Sequence, residues 1–206
     1  GKIKEIQSKV LNYIENTEVD ENNFKEIIKI CDDYKIQEDK NDFKLFLYLL
    51  NNISNNHHRN SDFFDKFFKI LKKYQDYIQN NFTNDEIFII FQKNKRILLF
   101  LFEEKIITIT KNMITTFSKY KFRNCNFDKF FSNEIKAFDG KQNENSEDFE
   151  EKRRIGENDS YICQLIREDK IDDFIVYINQ TNLDIKTFEI SPSIFETNSF
   201  LVKKTV

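Results

Sequence analysis

Glycine and proline are scarce in this sequence, which contains 3 Gly and 1 Pro among its 206 residues. A two-sheet sandwich or a barrel needs many more turn residues than that. The three glycines, at positions 1, 140 and 156, are also isolated. A loop that cradles a phosphate needs clustered glycines, because backbone amides must approach the anion closely. The composition therefore favours an all-α fold and excludes a nucleotide-binding loop.

Histidine and cysteine, the usual ligands of zinc, are equally rare. His57 and His58 are the two histidines, and the three cysteines, Cys31, Cys125 and Cys163, lie far apart. A zinc site needs Cys or His pairs at short spacing, and a sparse, odd set of cysteines is typical of reduced thiols in a cytosolic protein. We therefore expect no metal, no cofactor and no disulfide framework, and a cytoplasmic location.

Long hydrophobic runs are also missing. The most apolar stretch, residues 87–109, is interrupted by charges at 93–96 and 103–105. Each charge at the centre of a membrane span costs about 2.5 to 3.5 kcal/mol. The formal net charge of -3 gives no global attraction to nucleic acid or to an anionic membrane. We expect neither as a partner.

Phenylalanine is abundant, with 23 copies, and most of these rings are expected inside a hydrophobic core. Apolar residues recur at helical spacing along most of the chain. Thr83 and Glu86 stand at the spacing of a capping box, in which each side chain satisfies the other residue's backbone amide. Helices are predicted over residues 3–13, 24–34, 43–53, 63–78, 87–91, 97–102, 111–120 and 127–138.

Two helical pairs, at 83–102 and 158–182, repeat one pattern with a shift of about 75 residues. Such units cannot bury their apolar faces alone and are stabilised by stacking on neighbours. The sequence therefore predicts a multi-helix array of antiparallel helical hairpins. The shift aligns Ile87, Ile90, Phe91, Leu99 and Phe100 with Ile162, Leu165, Ile166, Phe174 and Ile175.

The second pair has the clearer pattern. Asn158 or Asp159 is the expected N-cap of its first helix, and we expect Tyr161 in the core. The apolar residues of its two helices, each expected to share one face, are Tyr161, Ile162, Leu165 and Ile166, and then Ile171, Phe174, Ile175 and Ile178.

Three runs around this pair carry a resemblance: RRIGENDSYICQLIRED (153–169), DDFIVYINQTN (172–182) and SPSIFETNSFL (191–201). They resemble the segment that precedes the recognisable repeats in a very large family of ankyrin-repeat proteins from anaerobic flagellate protists. The run NKRILLFLFEEKII (94–107) is also similar to the family, and the first eighty residues match it in general character only.

The resemblance implies an N-terminal helical module, with ordinary ankyrin repeats expected just after Val206. The pair at 158–182 lacks the Thr-Pro-Leu-His start and the turn glycine of the ankyrin pattern. What the resemblance implies for this pair is therefore a degenerate ankyrin-like unit. The family has no established activity for this module that the resemblance could transfer, and we expect none that is enzymatic.

A polar stretch, DGKQNENSEDFEEKRR (139–154), marks the main change in composition. We accordingly divide the chain into a helical domain (1–138), a polar linker or charged helix (139–157), and an ankyrin-like capping pair with an extended tail (158–206).

Lys152, Arg153 and Arg154 form the one basic cluster, and we take them as a candidate partner-binding site. The structural alternative is an exposed helix end that pairs with nearby glutamates, namely Glu150, Glu151 and Glu157.

Three functional hypotheses follow. The first is a non-enzymatic protein–protein interaction module that caps an ankyrin-type scaffold and contacts both the downstream repeats and a protein partner. The alternative is a helical enzyme or effector domain, in which His57, His58 or Cys125 would converge in a cleft. A nucleic-acid module would instead join the basic cluster to the cations at 93, 95 and 96 in one stripe.

Overall fold

The computed structural model describes residues 1–16, 21–56, 62–120, 126–142 and 145–197. Within these ranges the chain forms thirteen helices and no strand, so the predicted all-α class is confirmed. The antiparallel hairpin arrangement stays a prediction. The helices are α1 (Lys2–Glu15), α2 (Glu21–Asp33), α3 (Lys40–Asn56), α4 (Phe63–Lys73), α5 (Gln75–Asn81), α6 (Asn84–Phe91), α7 (Lys95–Glu103), α8 (Lys111–Tyr120), α9 (Phe127–Phe130), α10 (Ser132–Phe138), α11 (Glu147–Ile155), α12 (Tyr161–Arg167) and α13 (Ile171–Thr181).

The chain divides into two compact units, Gly1–Thr108 and Ile109–Val206. In the first unit α1 packs against α2, α3 and α4, and α3 also packs against α6. α3 buries side chains along most of its length, as expected for a helix with neighbours on both sides. The domain boundaries predicted at 138 and 157 stay predictions.

Two predicted helices are each broken at a buried aromatic residue. The predicted helix 63–78 is divided at Tyr74, where φ is -105° and ψ is 12°. The Tyr74 ring packs edge-on against Phe43 and Phe46, at centroid distances of 5.4 and 5.6 Å. The predicted helix 127–138 is likewise divided at Phe131, whose ring stacks 4.9 Å from Phe117. The single-helix predictions were wrong because apolar periodicity continues across both breaks.

The capping box at the start of α6 is confirmed. Thr83 Oγ1 accepts from the Glu86 amide at 3.2 Å, and Glu86 Oε2 accepts from the Thr83 amide at 2.8 Å. The next turn is fixed by Asn94, a buried residue whose side chain accepts from the Ile97 amide at 3.1 Å. Its Nδ2 also donates to Ser54 Oγ of α3 at 3.1 Å. The start of α7 is thereby tied to α3.

The second unit has a compact aromatic core. α8 packs against α9, and α9 packs against α10. Among the described phenylalanines only Phe138 is exposed, so the expectation of a phenylalanine-rich interior is confirmed for this part of the chain. Among the residues of this unit that the structure describes, the buried apolar ones are Met113, Phe117, Phe127, Phe130, Phe131, Ile162, Leu165 and Phe195.

The helix pair α12 and α13 forms as predicted but differs in detail. The N-cap of α12 is Ser160, and Asn158 Oδ1 accepts from its amide at 3.0 Å, so the cap prediction was wrong by one or two residues. Tyr161 is 53% exposed, which corrects its expected core position. Its ring instead meets Tyr177 of α13 edge-on at 5.3 Å. In the tail, residues 194 and 195 form a bend.

Candidate interaction surface

The charge order along α11 explains where the predicted basic cluster lies. Acidic residues occupy the first turn and Lys152, Arg153 and Arg154 occupy the last, which suits the helix dipole at both ends. Ser146 caps the N-terminus by accepting from the Phe149 amide at 3.3 Å. The helix ends at Gly156, whose φ of 71° is the left-handed conformation that glycine adopts without strain.

Arg153 belongs to the interior of the second unit. Its side chain is fully buried, with Nη2 2.6 Å from Glu134 Oε1 and Nη1 3.6 Å from Glu150 Oε2. The guanidinium also lies 5.3 Å from the ring centroid of Phe130 and 5.7 Å from that of Phe149. A buried guanidinium needs such partners because its desolvation is costly. An exposed docking patch therefore cannot include Arg153, and that part of the site prediction is corrected.

The two neighbours of Arg153 remain at the surface. Lys152 is partly exposed and lies 2.9 Å from Asp148 and 3.8 Å from Asp159. The hydrogen bond to Asp148 raises the pKa of the Lys152 ammonium group. Arg154 is exposed. A partner-binding role for Lys152 and Arg154 stays a prediction.

Residues 191–197, which we call the strap, return to the connection between α11 and α12. The Thr197 amide and hydroxyl both donate to the Gly156 carbonyl oxygen, at 3.0 and 2.7 Å. Ser193 Oγ donates to Asp159 Oδ1 at 2.7 Å. These bonds hold the strap at both ends of the connection.

An aromatic contact anchors the centre of the strap. Phe195 is 7% exposed, and its ring meets Phe149 of α11 edge-on at 5.3 Å. Near the start of the strap, Asn158 Nδ2 donates to the Ser191 carbonyl oxygen at 2.9 Å. The strap therefore fixes how the chain leaves α11 and enters α12.

Several exposed apolar side chains of the second unit lie on α12 and α13. We call Ile166, Ile171 and Ile175 the open face, and these side chains are 57%, 60% and 51% exposed. Ile171 and Ile175 are one helical turn apart, which places them side by side on α13. No residue of α13 is buried, although six of its eleven residues are apolar or aromatic. Isolated exposed apolar residues are ordinary, whereas a group of them on adjacent elements is a candidate contact surface.

A shallow depression between the two helices continues the open face. Leu165 at this depression is 2% exposed, whereas Ile166 and Ile171 beside it reach solvent. An apolar side chain inserted here would therefore contact both helices at once. The depression is lined by Leu165, Ile166, Asp169, Lys170, Ile171 and Phe174.

Carboxylates border this surface. Residues 168–173 contain four acidic side chains and a single basic one, Lys170. Lys170 Nζ lies 2.6 Å from Glu168, and that hydrogen bond raises the pKa of Lys170 and lowers that of Glu168. In the described chain the carboxylates of Asp169, Asp172 and Asp173 form no ion pair within 4.0 Å. The border of the open face therefore carries a net negative charge.

The enzyme alternative depends on three residues that the structure does not describe. His57, His58 and Cys125 lie outside the described residues, so their convergence stays a prediction. Cys31 and Cys163 are free thiols, the first buried and the second half-buried. Across the ranges that the structure covers, no group of three or more His, Cys, Asp or Glu side chains is arranged to hold a metal ion.

Two of the six cations that the nucleic-acid hypothesis places in a basic stripe are buried. Lys95 is 3% exposed, and Arg153 is fully buried. The Arg96 guanidinium lies over the rings of Phe64 and Phe68, at 5.5 and 5.1 Å from their centroids. Cations in these surroundings cannot contact successive phosphates as exposed ones do.

Comparison of the chain with protein-family models, with curated proteins and with solved structures gives no significant match. None of the helices in the described ranges combines the length and the apolar character needed to cross a bilayer.

Proposed function

We propose that this chain is a non-enzymatic protein–protein interaction module that caps an ankyrin-type helical scaffold in the cytoplasm. The single observation that carries the proposal is the open face, three exposed isoleucines on the adjacent helices α12 and α13. Helical repeats leave such a face on their terminal unit until a neighbouring unit stacks on it. The inner side of the pair, through Ile162 and Leu165, is already buried.

The turn between α12 and α13 also supports a repeat-like pair. Asp169 has a φ of 52°, a left-handed conformation for which glycine is the usual residue. The Lys170 amide donates to the Leu165 carbonyl oxygen at 3.0 Å, as in a Schellman motif. Aspartate tolerates this conformation better than most residues. A helix pair without the ankyrin turn glycine can therefore keep the backbone that the glycine would give.

The test extends the full chain after Val206 by three consensus ankyrin repeats. The fused repeats must be able to reach the open face from Thr197. The nine residues 198–206 allow a span of up to about 30 Å, which exceeds the roughly 16 Å length of an eleven-residue helix such as α13. The chain contains no tryptophan, so one tryptophan introduced into the repeats reports their unfolding alone. Urea titrations then compare the repeats with and without the module.

We expect the module to raise the urea midpoint of the repeats, because stacking couples neighbouring units. Ile175→Lys should remove this increase, whereas Gln180→Lys, which adds the same charge elsewhere on α13, should retain it. A repeat midpoint that is the same with and without the module would contradict the proposal.

A further inference from the structure

The open face combines apolar side chains with an acidic border. Ile171 and Ile175 are exposed on one side of α13, and Asp172 lies three residues before Ile175, hence beside it on the helix surface. Asp169 lines the depression that both helices form. A helix that covers the face would bring its central residues onto the isoleucines and its flanking residues near these two carboxylates.

We infer that the occupant of the open face is an amphipathic helix whose apolar stripe is flanked by lysine or arginine. This inference rests on the proposed function, because it names the chemistry of the element that stacks on α12 and α13. It follows from charge complementarity, since like charges across an interface are costly and opposite charges speed association and fix orientation. An acidic or purely apolar stripe would leave Asp169 and Asp172 beside apolar or like-charged groups.

The arrangement of the depression fits one large aliphatic side chain of such a helix. Leu165 forms its buried part, and Ile166 and Ile171 lie on the two helices beside it. A leucine inserted between them removes apolar surface of both helices from water, which is the main source of affinity for a helix bound in a groove. The basic flanks then distinguish this partner from other amphipathic helices.

The experiment measures binding of fluorescent 18-residue helical peptides to the full chain by anisotropy. The peptides share one leucine stripe at i, i+3, i+4 and i+7 spacing and carry either lysine or glutamate beside it. We expect the lysine peptide to bind about tenfold more tightly in low salt, as two or three exposed ion pairs would give. This preference should shrink as added salt screens the charges.

Matched variants locate the site. Ile175→Lys should abolish binding of the lysine peptide. Gln180→Lys is its matched control because it adds the same charge to the same helix, and it should leave the affinity within about twofold of the parent. The double variant Asp169→Asn/Asp172→Asn should lose most of the preference for lysine over glutamate. Asparagine also tolerates the left-handed conformation at position 169, so circular dichroism should show an unchanged fold.

Four results would overturn the inference: equal affinity for the two peptides, no binding of either, binding that survives Ile175→Lys, or a dimer of this chain that Ile175→Lys dissociates. In the last case a second copy occupies the face. If the fused repeats are stabilised while the peptides behave in any of these ways, the inference fails and the proposed function stands. If the repeats are not stabilised, the proposed function fails whatever the peptides do.

Discussion

Arg153 Nη2 lies 2.6 Å from Glu134 Oε1, and the Arg153 side chain is fully buried while that of Glu134 is 18% exposed. This ion pair joins α11 to α10 across the aromatic core of the second unit. A buried pair of this kind adds little net stability compared with well-packed apolar groups, but removal of one partner leaves an uncompensated charge.

We therefore expect Glu134→Ala to destabilise the protein by about 3 to 5 kcal/mol, because it leaves the Arg153 guanidinium buried beside Glu150 alone. Arg153→Met should cost less than this, since methionine fills the same space without a charge. The matched control, Arg154→Met at the exposed neighbour, should stay within about 0.5 kcal/mol of the parent. Urea unfolding measures all three, and a Glu134→Ala protein as stable as the parent would contradict the assignment.

Glu86 makes stability depend on pH. The hydrogen bond from the Thr83 amide, and next that from Lys40, lower the pKa of Glu86 below its ordinary value. A lowered pKa in the folded state means that the carboxylate stabilises the fold above about pH 4.3, the value for an unfolded chain. That contribution is lost as the pH falls through the folded pKa.

Glu86→Gln should thus be less stable than the parent at pH 7, and the difference should vanish in strong acid, where Glu86 is protonated. Lys40→Met should reduce the pH dependence without removing it, because the backbone hydrogen bond is the larger cause. Unfolding free energies from pH 2.5 to pH 7 provide the measurement. A difference between parent and Glu86→Gln that is constant over this range would contradict a lowered pKa of Glu86 in the folded protein.

Truncation of two adjacent residues of α12 should have very different effects on stability. Leu165 is 2% exposed and Ile166 is 57% exposed. Leu165→Ala should cost about 2 to 5 kcal/mol because it leaves a cavity. Ile166→Ala should change stability by less than about 0.5 kcal/mol. Thermal or urea unfolding compares them, and equal losses would mean that α12 has a different rotation about its axis.

Cys31 should resist alkylation in the folded protein. Burial raises the pKa of the Cys31 thiol to about 11. At pH 8 its thiolate fraction is therefore far below that of an ordinary cysteine, and burial blocks access as well. Iodoacetamide labelling followed by peptide mass spectrometry should find Cys31 modified only after denaturant is added. Native-state labelling of Cys31 as fast as that of the half-buried Cys163 would contradict this.

The sequence was sufficient to predict the helical class and most helix positions, because amphipathic spacing and caps are local signals. Thr83 and Glu86 illustrate this, since three residues of separation specify both hydrogen bonds. The breaks at Tyr74 and Phe131 were not predictable in the same way. Each depends on where a ring meets distant aromatic residues, which local periodicity does not encode.

The site was predicted less well for the same reason. Arg153 looked like part of an exposed cluster because its neighbours on either side are basic, and its partner Glu134 lies 19 residues away. Ile171 and Ile175 were assigned to a packing stripe, and only tertiary contacts decide which edge of such a stripe is covered. No local sequence pattern predicted the strap, since Thr197 hydrogen-bonds to Gly156, 41 positions earlier.

The two hydrogen bonds from Thr197 to the Gly156 carbonyl oxygen close residues 156–197 into a ring. A protease that cuts this ring once, for example at the exposed Ile185, would produce two fragments that stay joined through the strap. The chain therefore leaves for the helix pair at Gly156 and returns to the same point at Thr197, as the chain of an inserted domain does. Exchange of α12 and α13 for another helix pair would change the surface offered to a partner, provided that the buried side chains of Ile162 and Leu165 are kept.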